Sequence, residues 1–220
     1  MNNVAELRPG CHCRNGRFDE RLSKRTFDSI CPMTIGMPTI ESRGERTRDT
    51  ILRAFVALMF RDGFDHITVQ NIVAEAGIAR STFYEHFGRK EDVLRASMAQ
   101  FFVVLARCVS SDDQPAELAR VLDHFWENRR LTDAIFDSAP RRILALSLSE
   151  MVESQLRERS GELVLPARLA AIHIAEAQLA LVETWLRGRA FAHASDVATA
   201  LHKSSLASAA ALSRANSPVI

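Results

Sequence analysis

The sequence predicts an all-α fold, and three observations carry that expectation. Apolar residues recur every three or four positions along most of the chain after residue 45, the spacing of a buried helical face. Strand-like alternation of apolar and polar residues is absent throughout. Breakers such as Gly63, Gly77, Pro115, Gly161, Pro166 and Gly188 fall between the periodic runs rather than inside them. About nine helices are expected: a three-helix helix-turn-helix unit over residues 45–94, then a helical domain over 95–215. With 220 residues, 47% of them hydrophobic, the chain can bury a substantial core.

Residues 1–44 stand apart. They hold Pro9, Gly10, Gly16, Pro32, Gly36, Pro38 and Gly44, lack helical periodicity, and read as a disordered arm. Arg8, Arg14, Arg17, Arg21, Lys24 and Arg25, against Asp19 and Glu20, make its first half basic. Such an arm can touch DNA phosphates or enter a minor groove. The plainer reading is a solvated tail, or residues upstream of a start at Met33 or Met37. Cys11-His12-Cys13 lacks the second spaced pair that zinc requires, so no metal is expected there. Together with Cys31 and Cys108 these give no disulfide framework in a chain this long. The start carries no apolar signal segment and no apolar run reaches the length of a membrane span, so a cytoplasmic protein is expected, with no membrane partner.

Helix formation begins in earnest at Thr47. From there to Asp62, Ile51, Ala54, Phe55, Leu58 and Met59 form one apolar face, and Gly63 ends the helix. Phe64 and Ile67 close the same small core. The next stretch, TVQNIVAEAGIARSTFYEHFGRK over residues 68–90, organises the rest. Thr68 is suited to cap a helix whose inner face is Val69, Ile72, Val73 and Ala76. Gly77 stops that helix where a left-handed backbone costs little, and Ile78 plugs the turn. A second helix opens at Arg80 or Ser81 and turns Phe83 and Phe87 inward at i, i+4.

That leaves Arg80, Ser81, Thr82, Tyr84 and His86 facing out, a set suited to a DNA major groove. Arg80 can donate twice to a guanine edge. Ser81 and Thr82 are short and permit close approach. Gln70 can reach an adenine edge or a phosphate. Tyr84, His86 and Lys90, with the Thr68 hydroxyl, suit phosphates. The net charge is only +1, and acids and bases balance between Glu45 and Arg95. DNA binding must therefore come from where the charges point, not from their sum.

The pattern resembles the tetracycline-repressor (TetR) family of transcriptional regulators. The residues that carry the resemblance are Thr50-Ile51-Leu52-x-Ala54, Gly63-Phe64, Ile67-Thr68-Val69-x-x-Ile72-x-x-x-Ala76-Gly77-Ile78, and Ser81-Thr82-Phe83-Tyr84-x-x-Phe87-x-x-Lys90-Glu91-x-Val93-Leu94. They span about 48 residues, Thr47 to Leu94. One departure is Val73, where the family more often has alanine. The resemblance implies that Thr68, Gln70, Arg80, Ser81, Thr82, Tyr84, His86 and Lys90 meet double-stranded DNA. It also implies a small-molecule effector in the second domain that moves the readers of a dimer out of register.

In the second domain, Glu91 starts a long helix to about Val109, with Leu94, Met98, Phe101, Leu105 and Cys108 along one stripe. It can act as a stiff lever between the two domains. Further helices are expected from Pro115 to about Asn128, Leu131 to Asp137, and Pro140 to about Arg159. Two more follow: Ala167 to Arg187, and Val197 to about Leu212 behind a Ser195 or Asp196 cap. The Ala167–Arg187 helix is apolar on nearly all sides, through Leu169, Ile172, Ile174, Leu179, Leu181, Val182, Trp185 and Leu186, so it needs partners on two faces. With the Ala- and Ser-rich last helix it predicts a two-fold homodimer through a four-helix bundle. A narrow polar stripe remains, His173, Glu176, Glu183 and Arg187. Either it is an exposed edge of helical ion pairs, or part of it lines an effector pocket. The pocket candidates are Phe101, Phe102, Leu105, His124, Trp126, Phe136, Met151, His173, Glu176 and Trp185. His173-x-x-Glu176 alone is too little for a metal, and no catalytic residue, cofactor or metal is expected.

The reading is a sequence-specific DNA-binding regulator, a repressor of palindromic operators released by an effector, and not an enzyme. The rivals are a helical protein-binding adaptor and a helical enzyme without DNA binding. The scattered His124, His173, His193 and His202 have no active-site spacing.

Overall fold

Thr47 and Thr50 return their hydroxyls to the carbonyls of Arg43 and Arg46, at 2.9 and 2.8 Å. Bonded this way to carbonyls four residues back, they lie inside a helix rather than at its cap. The first helix, α1, therefore spans Arg43–Asp62, four residues more than the sequence pattern suggested. In the computed structural model the described residues are 43–110, 115–129, 135–136, 138–159 and 161–214. The expected basic arm, Cys11-His12-Cys13 and most of the expected 131–137 helix lie outside them.

Eight α-helices follow one another among the described residues: α1, α2 (Val69–Ala76), α3 (Arg80–His86), α4 (Lys90–Arg107), α5 (Pro115–Glu127), α6 (Ser138–Glu158), α7 (Ala167–Leu186) and α8 (Ala194–Ala211). A short 3-10 turn, Phe64–His66, lies between α1 and α2. The fold is all-α. The pairing of Leu163 with Ser213 is an isolated bridge between the α6–α7 connection and the end of α8. Two starts differ from the sequence reading. Helix α6 begins at Ser138, since a proline in the first helical turn breaks no hydrogen bond. Helix α8 begins at Ala194 with His193 at its cap, which puts Ser195 and Asp196 inside its first turn. Asp196 there still faces the positive end of the helix dipole.

One continuous apolar core runs through both halves, from Ile51 and Phe55 of α1 to Leu201 and Ala209 of α8. Helix α4 carries it across. Val93 and Leu94 belong to the reader core, and Phe101, Phe102 and Leu105 to the bundle. Helices α6 and α7 pack along each other, and α8 lies on α5 and α7. Gln178 is buried at the centre of α7. Its Nε2 donates to the Leu105 carbonyl of α4 and to Ser205 Oγ of α8, both at 2.9 Å. Three helices are thereby held in one register by a single amide.

Contrary to the sequence expectation, α7 is long and apolar enough to cross a membrane by length and composition, but half of that segment is buried inside the protein. It reads as a core helix. Its inner face is Ala170, Ile174, Leu179, Val182 and Leu186, while Leu169, Ile172 and Leu181 are exposed.

Candidate nucleic-acid interface

The turn between α2 and α3 is set by short-range bonds. Thr68 caps α2: its Oγ1 accepts the Asn71 amide at 3.2 Å, and Asn71 Oδ1 accepts the Thr68 amide at 2.9 Å. The Thr68 hydroxyl hydrogen also lies on Asn71 Oδ1, so a phosphate bond from that hydroxyl must displace this third bond, while the two capping bonds can persist. Gly77 closes α2 with φ 63° and ψ 34°, a left-handed conformation, and its amide returns to the Ala74 and Val73 carbonyls. A side chain there is disfavoured by backbone sterics. Ile78 and Val73 pack against the core from the edge. The extra bulk of Val73 is accommodated half-buried there.

Helix α3 is held by its two phenylalanines. Phe83 is fully buried and Phe87 nearly so, their rings 6.0 Å apart. Arg48 of α1 stacks its guanidinium over the Phe87 ring at 4.6 Å. The opposite face is in solvent: Arg80, Ser81 and Tyr84 are exposed, Thr82 and His86 half-buried, and Gln70 on α2 exposed. Tyr84 stands edge-on to Phe83, with centroids 5.5 Å apart. Arg80 Nη2 donates to the Tyr84 hydroxyl at 3.2 Å.

Lys90 is drawn inward. Its Nζ donates to the carbonyls of Phe64 at 2.8 Å and Ile67 at 2.9 Å, and sits 4.3 Å from the centre of the Phe64 ring. Two of its three hydrogens thus tie the start of α4 to the turn before α2, leaving one for a phosphate. The sequence reading missed this structural part of its role. A lysine two residues beyond Phe87 and Gly88 gives no sign in sequence of which carbonyls it will meet.

The charge balance resolves in space. Arg61 bonds Asp62 and Glu75, and Arg89 pairs with Asp92. Arg80 makes no ion pair among the described residues. Its charge is directed outward.

The ten effector-pocket candidates do not form one site. Phe102 and Leu105 have no exposure, and buried Phe101 meets the tilted ring of Phe125 at 4.6 Å. Trp126 and Trp185 stack at 4.8 Å, the Trp185 indole N–H donates to the Ala192 carbonyl, and Arg129 covers the Trp126 ring. His124 lies next to this pair in sequence, with its protonated form disfavoured by burial. Phe136 is buried and Met151 half-buried. His173 and Glu176 are on the exposed side of α7, away from that core. Glu176 bonds Arg141 of α6 at 2.6 Å, Glu183 bonds the same guanidinium at 3.3 Å, and Arg187 bonds Glu183 at 3.3 Å. The polar stripe is thus an ion-pair seam between α6 and α7, and its helix-internal pair is the smaller part. A surface hollow of about 430 Å³ lies at the α6–α7 corner, lined by Leu156, Leu163, Leu165 and three arginines, and includes none of the ten candidates. Those arginines are already engaged: Arg157 by Glu153, Arg159 by the Val109 carbonyl, Arg214 by Glu162. Among the described residues no cluster of histidine, cysteine and carboxylate side chains could hold a metal.

A capped helix, a left-handed glycine turn and a short second helix with an outward polar face define a helix-turn-helix module on a helical bundle. Residues 51–97 match the family described as bacterial regulatory proteins, tetR family. Over 48 residues it is 38% identical to the HTH-type transcriptional regulator TcmR of Streptomyces glaucescens. That match covers 22% of this chain and 21% of TcmR, so it spans about a fifth of the relative's length. Among solved structures, a TetR transcriptional regulator from Streptococcus agalactiae 2603V is 23% identical with a TM-score of 0.48, over 74% of this chain and 95% of that one. NalD of Pseudomonas aeruginosa, a secondary repressor of a multidrug efflux pump, is 20% identical with a TM-score of 0.47, over 80% of this chain and 100% of that one.

Proposed function

We propose that this protein is a cytoplasmic, non-enzymatic transcriptional repressor that binds a palindromic operator as a homodimer and is released by a small-molecule effector. One observation carries the DNA-binding part: α3 hides Phe83 and Phe87 in the core and leaves Arg80, Ser81 and Tyr84 in solvent, with no carboxylate on Arg80 among the described residues. Arg80 reads a base edge and Ser81 and Thr82 permit the approach. Gln70, His86 and the remaining N–H of Lys90 serve the backbone.

The dimer reading is supported by unpartnered apolar surface. Leu165, Leu169, Ile172 and Leu181 are 36–54% exposed. Ala200, Ser204, Ala207 and Ala211 give α8 an exposed face of small residues that permits close helix approach. Two such faces in a four-helix bundle set the readers about one DNA turn apart, ~34–36 Å. The effector reading rests on the likeness to tetR-family regulators over residues 51–97. An effector that weakens DNA binding must itself bind more weakly to the DNA complex by the same factor.

Selection of bound sequences from a random duplex pool tests the whole reading. A palindrome should emerge. Arg80→Ala should lose ~1–3 kcal/mol of discrimination at one base pair per half-site. Lys90→Ala should weaken every duplex and lower the salt slope by about one unit. Recovery of no sequence, with no retardation of any duplex at low salt, would favour the adaptor reading. For the dimer, Leu169→Glu with Leu181→Glu should halve the mass in sedimentation equilibrium; an unchanged mass places the interface elsewhere.

A further inference from the structure

We infer that Tyr84 is a positioning residue for Arg80, so that its hydroxyl determines specificity at the base pair Arg80 reads rather than serving only as a phosphate ligand. This rests on the DNA-binding reading above and refines the role expected of Tyr84. The two residues are one helical turn apart, at i, i+4, where side chains meet. Arg80 Nη2 donates to the Tyr84 hydroxyl at 3.2 Å, and the guanidinium carbon lies 5.6 Å from the ring centre. The ring itself is anchored, standing at 87° to Phe83, which has no exposure and leans on Phe87. A path of contacts therefore runs from the reader core through Phe83 and Tyr84 to the tip of Arg80.

The consequence follows from what a free arginine loses on binding. It loses rotamer freedom, and a side chain already held in place loses less of it. The bond to Tyr84 uses one of five guanidinium hydrogens, and the two needed for a guanine edge remain. Two other exposed arginines of this module are oriented by carboxylates, Arg61 by Asp62 and Glu75 and Arg89 by Asp92, while Arg48 lies over the Phe87 ring. A carboxylate would cancel the charge presented to DNA. A neutral hydroxyl orients Arg80 and leaves its charge intact.

The test uses the full chain and the operator that the wild-type protein selects. Tyr84→Phe keeps the ring on Phe83 and removes only the acceptor. Affinities for the operator, its single-base variants and an unrelated duplex are measured over a salt series, for wild type, Tyr84→Phe, Arg80→Ala and the double variant. We expect Tyr84→Phe to lose several-fold discrimination at the base pair that Arg80→Ala identifies. Affinity for unrelated duplex and the salt slope should be unchanged, and the double variant should discriminate no worse than Arg80→Ala alone. Uniform weakening with a lower salt slope, additive losses in the double variant, or no effect of Tyr84→Phe each overturns the assignment while leaving DNA binding in place. Failure of the wild type to select any operator overturns both. Tyr84 is 48% exposed, and an unchanged melting temperature for Tyr84→Phe confirms that folding is not what is measured.

Discussion

In the reader, residues 63–90, the polar bonds that shape the turn join neighbours in sequence. Thr68 and Asn71 cap each other, Gly77 returns to Val73 and Ala74, and Arg80 meets Tyr84. In the bundle behind it, the polar bonds that join one helix to another span long gaps. Arg141 reaches Glu176 and Glu183, 35 and 42 residues on, and Gln178 reaches back 73 residues to Leu105. The difference teaches where function can be read. A surface built from bonds between residues two to four apart has its geometry written in the chain. A surface built from long-range bonds exists only once the helices have chosen their neighbours.

Three substitutions probe the two regions. The largest effect is expected from Phe83→Ala. Removing a ring with no exposure should cost ~3–5 kcal/mol, measurable by denaturant unfolding. It should abolish DNA retention, because α3 has no other fully buried anchor among the described residues. A loss below 1 kcal/mol would mean that the reader does not depend on this core contact.

Gly77→Ala is the next in size. The added Cβ meets nothing within 4 Å, so the whole cost is the left-handed backbone, ~1–2 kcal/mol. A larger loss, in the same unfolding measurement, would show that the turn is held by contacts as well as by its own conformation.

The smallest effect concerns the bundle. Burial depresses the pKa of His124 below its ordinary value of 6.5, and the charge of Glu127 only partly opposes this. The unfolded chain then binds a proton more readily than the folded one. Stability is complete above about pH 6.5 and falls as the pH drops through that value toward the folded pKa. His124→Gln should flatten the dependence of melting temperature on pH between about 7.5 and 5.5. An unaltered slope would show that His124 is solvated and that this side of the bundle is looser than its packing indicates.

The exceptions follow the same rule. Lys90 belongs to the reader by position, yet its bonds reach back 26 and 23 residues to Phe64 and Ile67, and sequence reading gave it to phosphate alone. The start of α8 lies three residues before the expected Val197, and His193 at its cap makes no side-chain cap bond. The polar stripe on α7 left open an ion-paired edge or a pocket wall. Arg141, from a helix far away in sequence, makes it a seam.

By itself the sequence determined the helices, the capped turn at Thr68 and Gly77, and which side of α3 is apolar. Each of these depends on residues within a turn or two of one another, where rotamers and backbone sterics act. Only the tertiary structure decided that Lys90 closes the reader and that Gln178 joins three helices. The same packing left Leu169, Ile172 and Leu181 without partners in one chain. Those outcomes depend on which helix faces reach each other in space, and the free energy that selects them is shared across the whole core.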